Sequence, residues 1–147
     1  MRKKIIIGSI IFLLIDIISK ILIDNFLELN ESFIIVKSFF NFTKVYNYGA
    51  SWSILTGYQI LLIILAIVVL IVLSYYQKRF KNNKRNILAF ACLYAGIIGN
   101  LINRILFGYV IDFLDFNIFG YNYPVFNIAD VLIVLGTLLL IIAIFKK

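Results

Sequence analysis

Four long apolar runs constrain this chain more than any other feature. Residues 5–23, 58–76, 87–107 and 125–145 each match the roughly 20 helical residues needed to cross a bilayer core of about 30 Å. Of all residues 63% are hydrophobic, 14% are charged and none is His. Soluble domains sit nearer half apolar and a quarter charged. A chain of 147 residues has too little interior to hide so much apolar surface, so its solvent is expected to be lipid. The expected architecture is one domain over residues 1–147, an all-α bundle of four transmembrane helices carrying a small extracytoplasmic β-sheet.

The basic residues orient the spans. Arg2, Lys3 and Lys4 precede the first run, while Lys78, Arg79, Lys81, Lys84 and Arg85 follow the second. Lys146 and Lys147 end the chain, and none of the seven acids lies in these three segments. Basic residues collect on the cytoplasmic side, so both termini are expected there. This distribution accounts for the net charge of +7 without a nucleic-acid partner. The first run resembles a signal peptide, but Asp16 interrupts it and no small-residue cleavage site follows. It reads as an uncleaved span.

Two segments are left outside. Residues 24–57 include a partly alternating stretch, 33–46, rich in Phe, Ile, Val, Thr and Tyr, which reads as one or two strands. Residues 108–124, rich in Gly, Tyr, Asn and Asp, read as a loop. Residues 60–73 of the second span have no polar side chain and read as a lipid-facing wall.

The other three spans carry polar groups at similar depth. At about 1.5 Å per residue, Asp16 and Lys20 lie roughly 16 and 22 Å from the inner end of the first span. Asn100 and Arg104 lie at roughly 20 and 26 Å in the third, and Asp130 roughly 7 Å below the outer end of the fourth. All fall in the outer half. Asp16 and Lys20, four apart, share a helix face, as do Asn127 and Asp130, three apart. Gly96, Gly99, Asn100, Asn103 and Arg104 form one stripe, whose glycines permit close helix approach. A charge near the bilayer centre costs at least about 2.5 to 3.5 kcal/mol, so these groups are expected to pair or to do chemistry. Asp16–Lys20 and Arg104 with a carboxylate are candidate ion pairs within the bundle.

The inventory narrows the chemistry. Without His there is no Ser-His-Asp or Cys-His catalysis, and Cys92 alone builds neither a disulfide nor a cysteine metal site. No metal or other cofactor is expected. Asp112, Asp115 and Asp130 remain as carboxylates near the outer face. Two that lie close together share a proton; one then activates water while the other polarises an amide carbonyl. Spacing does not choose among the three.

Four blocks match a known pattern in order. They are Asp16-Ile-Ile-Ser-Lys20; Asn47-Tyr-Gly-Ala-Ser-Trp52; Gly96-Ile-Ile-Gly-Asn100-Leu-Ile-Asn-Arg104 continuing through Gly108-Tyr-Val-Ile-Asp112-Phe113; and Phe126-Asn-Ile-Ala-Asp130. Over essentially its whole length the chain resembles the lipoprotein signal peptidases (signal peptidase II), bacterial membrane aspartic peptidases. The resemblance implies an endopeptidase that cuts the signal peptide just before a diacylglyceryl-modified Cys. It implies Asp112 and Asp130 as the catalytic dyad, with Asp115 left in a loop. Asp16, Lys20, Asn47, Gly49, Gly96, Asn100, Arg104 and Asn127 are implied to bind substrate or support the site. The implied partners are diacylated prolipoproteins and membrane lipid, met by a monomer in the bacterial cytoplasmic membrane. Trp52 and the outer aromatics are expected to cover the site. Two positions depart from the pattern: Asn103 stands where the family usually has Asp, and Ala95-Gly96 where it usually has paired glycines. Asn103 removes a negative charge beside Arg104. Rival readings are a small proton-coupled transporter using Asp16, Lys20 and Asp130, and a non-catalytic lipoprotein-binding protein.

Overall fold

The computed structural model describes residues 1–49 and 54–145; Trp52, Lys146 and Lys147 lie outside the described residues. The helices are α1 (Arg2–Phe26), α2 (Gln59–Tyr76, extended by a 3-10 turn, Gln77–Arg79), α3 (Lys84–Phe107) and α4 (Ile128–Phe145). Each is long and apolar enough to cross a membrane. The strands are β1 (Ser32–Val36), β2 (Phe40–Asn47), β3 (Val110–Ile118) and β4 (Tyr121–Asn122), paired antiparallel in that order.

α3 is the axis of the bundle, packed by α1 and α4. Small residues make this possible, since Ala89, Ala91, Cys92, Ala95, Gly96 and Gly99 are all buried along α3. Lipid offers helices no hydrophobic reason to associate, so close van der Waals contact has to hold them. Gly96 meets α4, where an added Cβ would collide with the Ala129 carbonyl and stand 2.7 Å from the Ile133 side chain. Gly136 reciprocates from α4, with Ala89 O and the Leu93 side chain each 2.7 Å from a Cβ added there. The outer α2 buries only Leu62 and is the expected lipid-facing wall.

Because the obstacle at Gly96 is a backbone carbonyl, it has no rotamer into which to retreat. Gly96→Ala is expected to destabilise the bundle by about 1–3 kcal/mol and to slow any chemistry at the start of α4. Gly8→Ala meets only the Ala91 methyl, at 3.0 Å, and should cost less. Thermal unfolding of the two variants in one detergent checks the order.

The segment 108–124, expected as a loop, is instead the central strand β3 followed by β4. Its Asp and Asn residues obscured a run that is otherwise Val, Ile, Leu and Phe. β2 supplies the backbone partners, with Val45 opposite Asp112 and Phe40 opposite Phe116. Stacked rings reinforce the register, Phe40 on Phe116 at 4.4 Å and Tyr46 on Tyr109 at 4.0 Å. Asp115 is therefore a strand residue: its Oδ2 accepts from Thr43 Oγ1 at 2.7 Å and from Asn41 Nδ2 at 3.4 Å. Gly108 makes the turn from α3 into β3 at φ 77°, a left-handed helix end that a side chain would strain.

Phe126 joins the sheet to the bundle. Its carbonyl accepts the N–H groups of Phe113 and Leu114, and its own N–H donates to Leu114 O. The residue after Asp112 is thus tied to the residue before Asn127.

Candidate active site

α4 begins later than the apolar run, at Ile128, leaving Asn127 as its cap rather than on its face. Asn127 Oδ1 accepts the Asp130 N–H at 3.0 Å, and Asp130 Oδ2 accepts the Asn127 N–H at 3.1 Å. This is a reciprocal capping box that satisfies two backbone donors which lipid could not. It leaves the Asn127 side-chain nitrogen free to reach elsewhere. That nitrogen donates to Asp112 Oδ1 at 2.6 Å and to Asn100 Oδ1 at 3.2 Å. One fully buried asparagine thus holds both carboxylates.

Each carboxylate has a second amide. Asn47 Nδ2 donates to Asp112 Oδ2 at 2.9 Å, and Asn100 Nδ2 to Asp130 Oδ1 at 2.8 Å. Asp112 is 2% exposed. Desolvation pushes its carboxyl up to about 7, and the negative charge of Asp130 adds to the rise. The amides of Asn47 and Asn127 and the Lys20 ammonium pull the other way without overcoming burial.

Asp16 and Lys20 form an ion pair at 2.9 Å, at 0% and 2% exposure, so the expected pairing is present. The pair is a three-helix junction. Lys20 Nζ also donates to Asn100 Oδ1 at 3.0 Å, while Asp16 Oδ1 accepts the Ala129 N–H of α4 at 2.9 Å. A carboxylate at that helix start meets the positive end of its dipole. Gly99 has no Cβ because Asp16 occupies the space.

Arg104 makes no salt bridge to a carboxylate among the described residues. Its guanidinium donates to Gly49 O at 2.9 Å, and Asn47 Oδ1 accepts the Gly49 N–H at 2.9 Å. Arg104 therefore anchors the end of β2 that delivers Asn47. Asn103 accepts the Ile111 N–H through Oδ1 at 3.3 Å and so braces the start of β3. An amide oxygen serves that bond as a carboxylate would. Gly96 stands apart from this polar cluster, as a packing residue between α3 and α4.

The cluster opens on a cavity of about 420 Å³. Asn47, Asn100, Arg104, Asp112 and Asp130 form its polar end, and Asp115 is not in its wall. Tyr123, Pro124 and Val125 close one side, a wall not foreseen from a segment read as a loop. From there the cavity follows α4 past Val131, Val134, Leu135 and Leu138. Leu138 is about 12 Å beyond Asp130 along the helix, so an apolar trough leads away from the carboxylates. Among the described residues no three His, Cys, Asp or Glu side chains gather to hold a metal ion.

The sequence model of the family described as signal peptidase (SPase) II matches residues 8–146. Lipoprotein signal peptidases of Staphylococcus aureus strains JH9 and Newman are each 40% identical over 154 residues, spanning 99% of this chain and 93% of theirs. A bacterial membrane enzyme solved by the in meso method at 2.3 Å resolution superposes with a TM-score of 0.88 at 38% identity, over 97% of this chain and 87% of that one. A second, solved at 1.9 Å, gives 0.85 at 38% identity, over 97% and 93%.

Proposed function

This chain belongs to the signal peptidase II family, a bacterial membrane peptidase of lipoprotein processing, and we propose that it cleaves with Asp112 and Asp130 as a catalytic pair. The observation that carries this reading is that Asn127 holds both carboxylates at the polar end of one cavity, its side chain donating to Asp112 and its backbone N–H to Asp130. The two share one proton, which burial keeps on Asp112 before reaction, leaving Asp130 to act as the base. Asp130 takes a proton from water as its oxygen attacks the scissile carbonyl carbon, and Asp112 gives its proton to the carbonyl oxygen. Collapse of the tetrahedral species breaks the C–N bond; the proton held by Asp130 passes to the departing amine, and a hydroxyl of the gem-diol returns its proton to Asp112 as the C=O bond re-forms. The catalyst then regains its starting state with one water consumed.

The substrate is a prolipoprotein whose signal peptide ends just before a diacylglyceryl-modified Cys. The apolar trough along α4 suits an acyl chain or the signal helix, and the carboxylates at its head suit a bond near the membrane boundary. Placing the basic turn after α2 in the cytoplasm puts the sheet and the carboxylates on the extracytoplasmic side. Asp16 and Lys20 are positioning residues in this scheme, as are Asn47, Asn100 and Arg104, and the protein acts as a monomer.

Purified protein should cut a diacylated prolipoprotein immediately before the modified Cys and leave the unmodified precursor intact, read by mass spectrometry of the products. Cleavage that ignores the diacylglyceryl group would refute the substrate assignment. The pH dependence follows from Asp112. Its pKa is raised, so the proton is held below about 7 and lost above it. kcat/KM is therefore expected to fall on the alkaline side with a midpoint near 7; a plateau extending past pH 9 contradicts the shared proton.

A further inference from the structure

At the end of the bundle remote from the carboxylates, a cleft of about 300 Å³ lies between the α2–α3 turn and the last residues of α4. Arg79, Lys81, Arg85 and Asn86 line it, with Phe80 and Ile144 as apolar walls. Asn86 lies about 21 Å along α3 from Asn100, so this cleft is separate from the carboxylate cavity.

Two buried polar atoms here have no partner, Nε of Arg85 and Oδ1 of Asn86. Asn86 is 3% exposed, and its orientation is settled because Nδ2 donates to Lys81 O at 2.9 Å. Burial leaves such atoms without the water that would otherwise pair them, so a ligand that bonds them gains what folding left unmade. They are chemically complementary: one donates and the other accepts. A bare anion would satisfy only the arginine, whereas an anionic oxygen with a hydroxyl close by would satisfy both.

Charge favours an anion strongly. No acid occurs from residue 32 to residue 111, and both ion pairs among the described residues lie elsewhere. The positive end of α3 begins here as well, at Lys84. Arg79 is held in place over the Tyr75 and Tyr76 rings, at 5.3 and 5.0 Å.

We infer that this cleft binds the headgroup of an anionic phospholipid with hydroxyls beside its phosphodiester, of the phosphatidylglycerol type. The phosphate sits among Arg79, Lys81 and Arg85, a headgroup hydroxyl donates to Asn86 Oδ1, and the acyl chains run along α4 from Ile144. This inference is independent of the peptidase reading.

The test is native mass spectrometry of the purified full chain in neutral detergent, supplied with lipids of equal chain length. With each interfacial cation contributing about 1 kcal/mol, phosphatidylglycerol should be retained at least about tenfold over phosphatidylcholine. Arg85→Gln, at a half-buried position, should cut that preference several-fold, whereas the charge-matched Lys37→Gln in the β1–β2 turn should not. Asn86→Leu should weaken phosphatidylglycerol but not phosphatidylmethanol, which has the charge without the hydroxyls. Equal retention of the two main lipids overturns the proposal, as does a preference that survives Arg85→Gln. Displacement by millimolar inorganic phosphate would assign the cleft to a free anion instead. Matching thermal midpoints of variant and parent confirm that folding is not what changed.

Discussion

Asp112→Asn and Asp130→Asn are each expected to lower cleavage of a diacylated prolipoprotein by about 10³-fold or more, without loss of the folded protein. The amide is nearly isosteric with the carboxylate, so packing is retained. It can neither take a proton from water nor return one to the carbonyl oxygen. The two losses should not add in the double variant, because a pair that acts together fails when either member is gone. Asp115→Asn is the internal control. Its bonds go to Thr43 and Asn41 on β2, and it is absent from the cavity wall, so the rate should stay near that of the parent. A rate near the parent's in either Asp112→Asn or Asp130→Asn would end the assignment of the pair.

The second large effect is on stability. Asp16→Ala is expected to destabilise the bundle by about 3–5 kcal/mol, because it strands the Lys20 ammonium at 2% exposure with only the Asn100 oxygen as partner. It also removes the acceptor of the Ala129 N–H at the start of α4. Lys20→Met removes the cation and leaves the Asp16 carboxylate paired only with that N–H, so it too should destabilise. The combination Asp16→Leu with Lys20→Met removes both charges at once and should recover most of the loss, as buried ion pairs often tolerate apolar replacement. Denaturation midpoints in one detergent measure all three. Should Lys20→Met fold normally and still lose cleavage, Lys20 would belong to the chemistry rather than to the frame.

The membrane helices were legible because lipid imposes a simple demand on sequence. Each span needs about 20 apolar residues, and each polar residue inside one stands out against that background. Asp16, Lys20, Asn100 and Asp130 were visible for that reason, and all four join one network. The sheet was harder to read. Strands β1 and β2 show the expected Phe, Val and Thr pattern, whereas in β3 the polar residues Asp112, Asp115 and Asn117 break the pattern that marks a strand. Asn127 was misplaced for a related reason: an apolar run does not reveal where within it the helix is capped.

From sequence alone came the solvent of this protein, its four spans and the expectation of carboxylate chemistry, since these depend on composition along the chain. Tertiary structure decided which carboxylates meet. Asp112 and Asp115 are three residues apart on one strand, so they point to opposite faces of the sheet. The pairing of β3 with β2 and the bonds at Phe126 turn Asp112 toward the start of α4, and Asp115 toward Thr43. Strand register is set by partners distant in the sequence, and no local spacing encodes it.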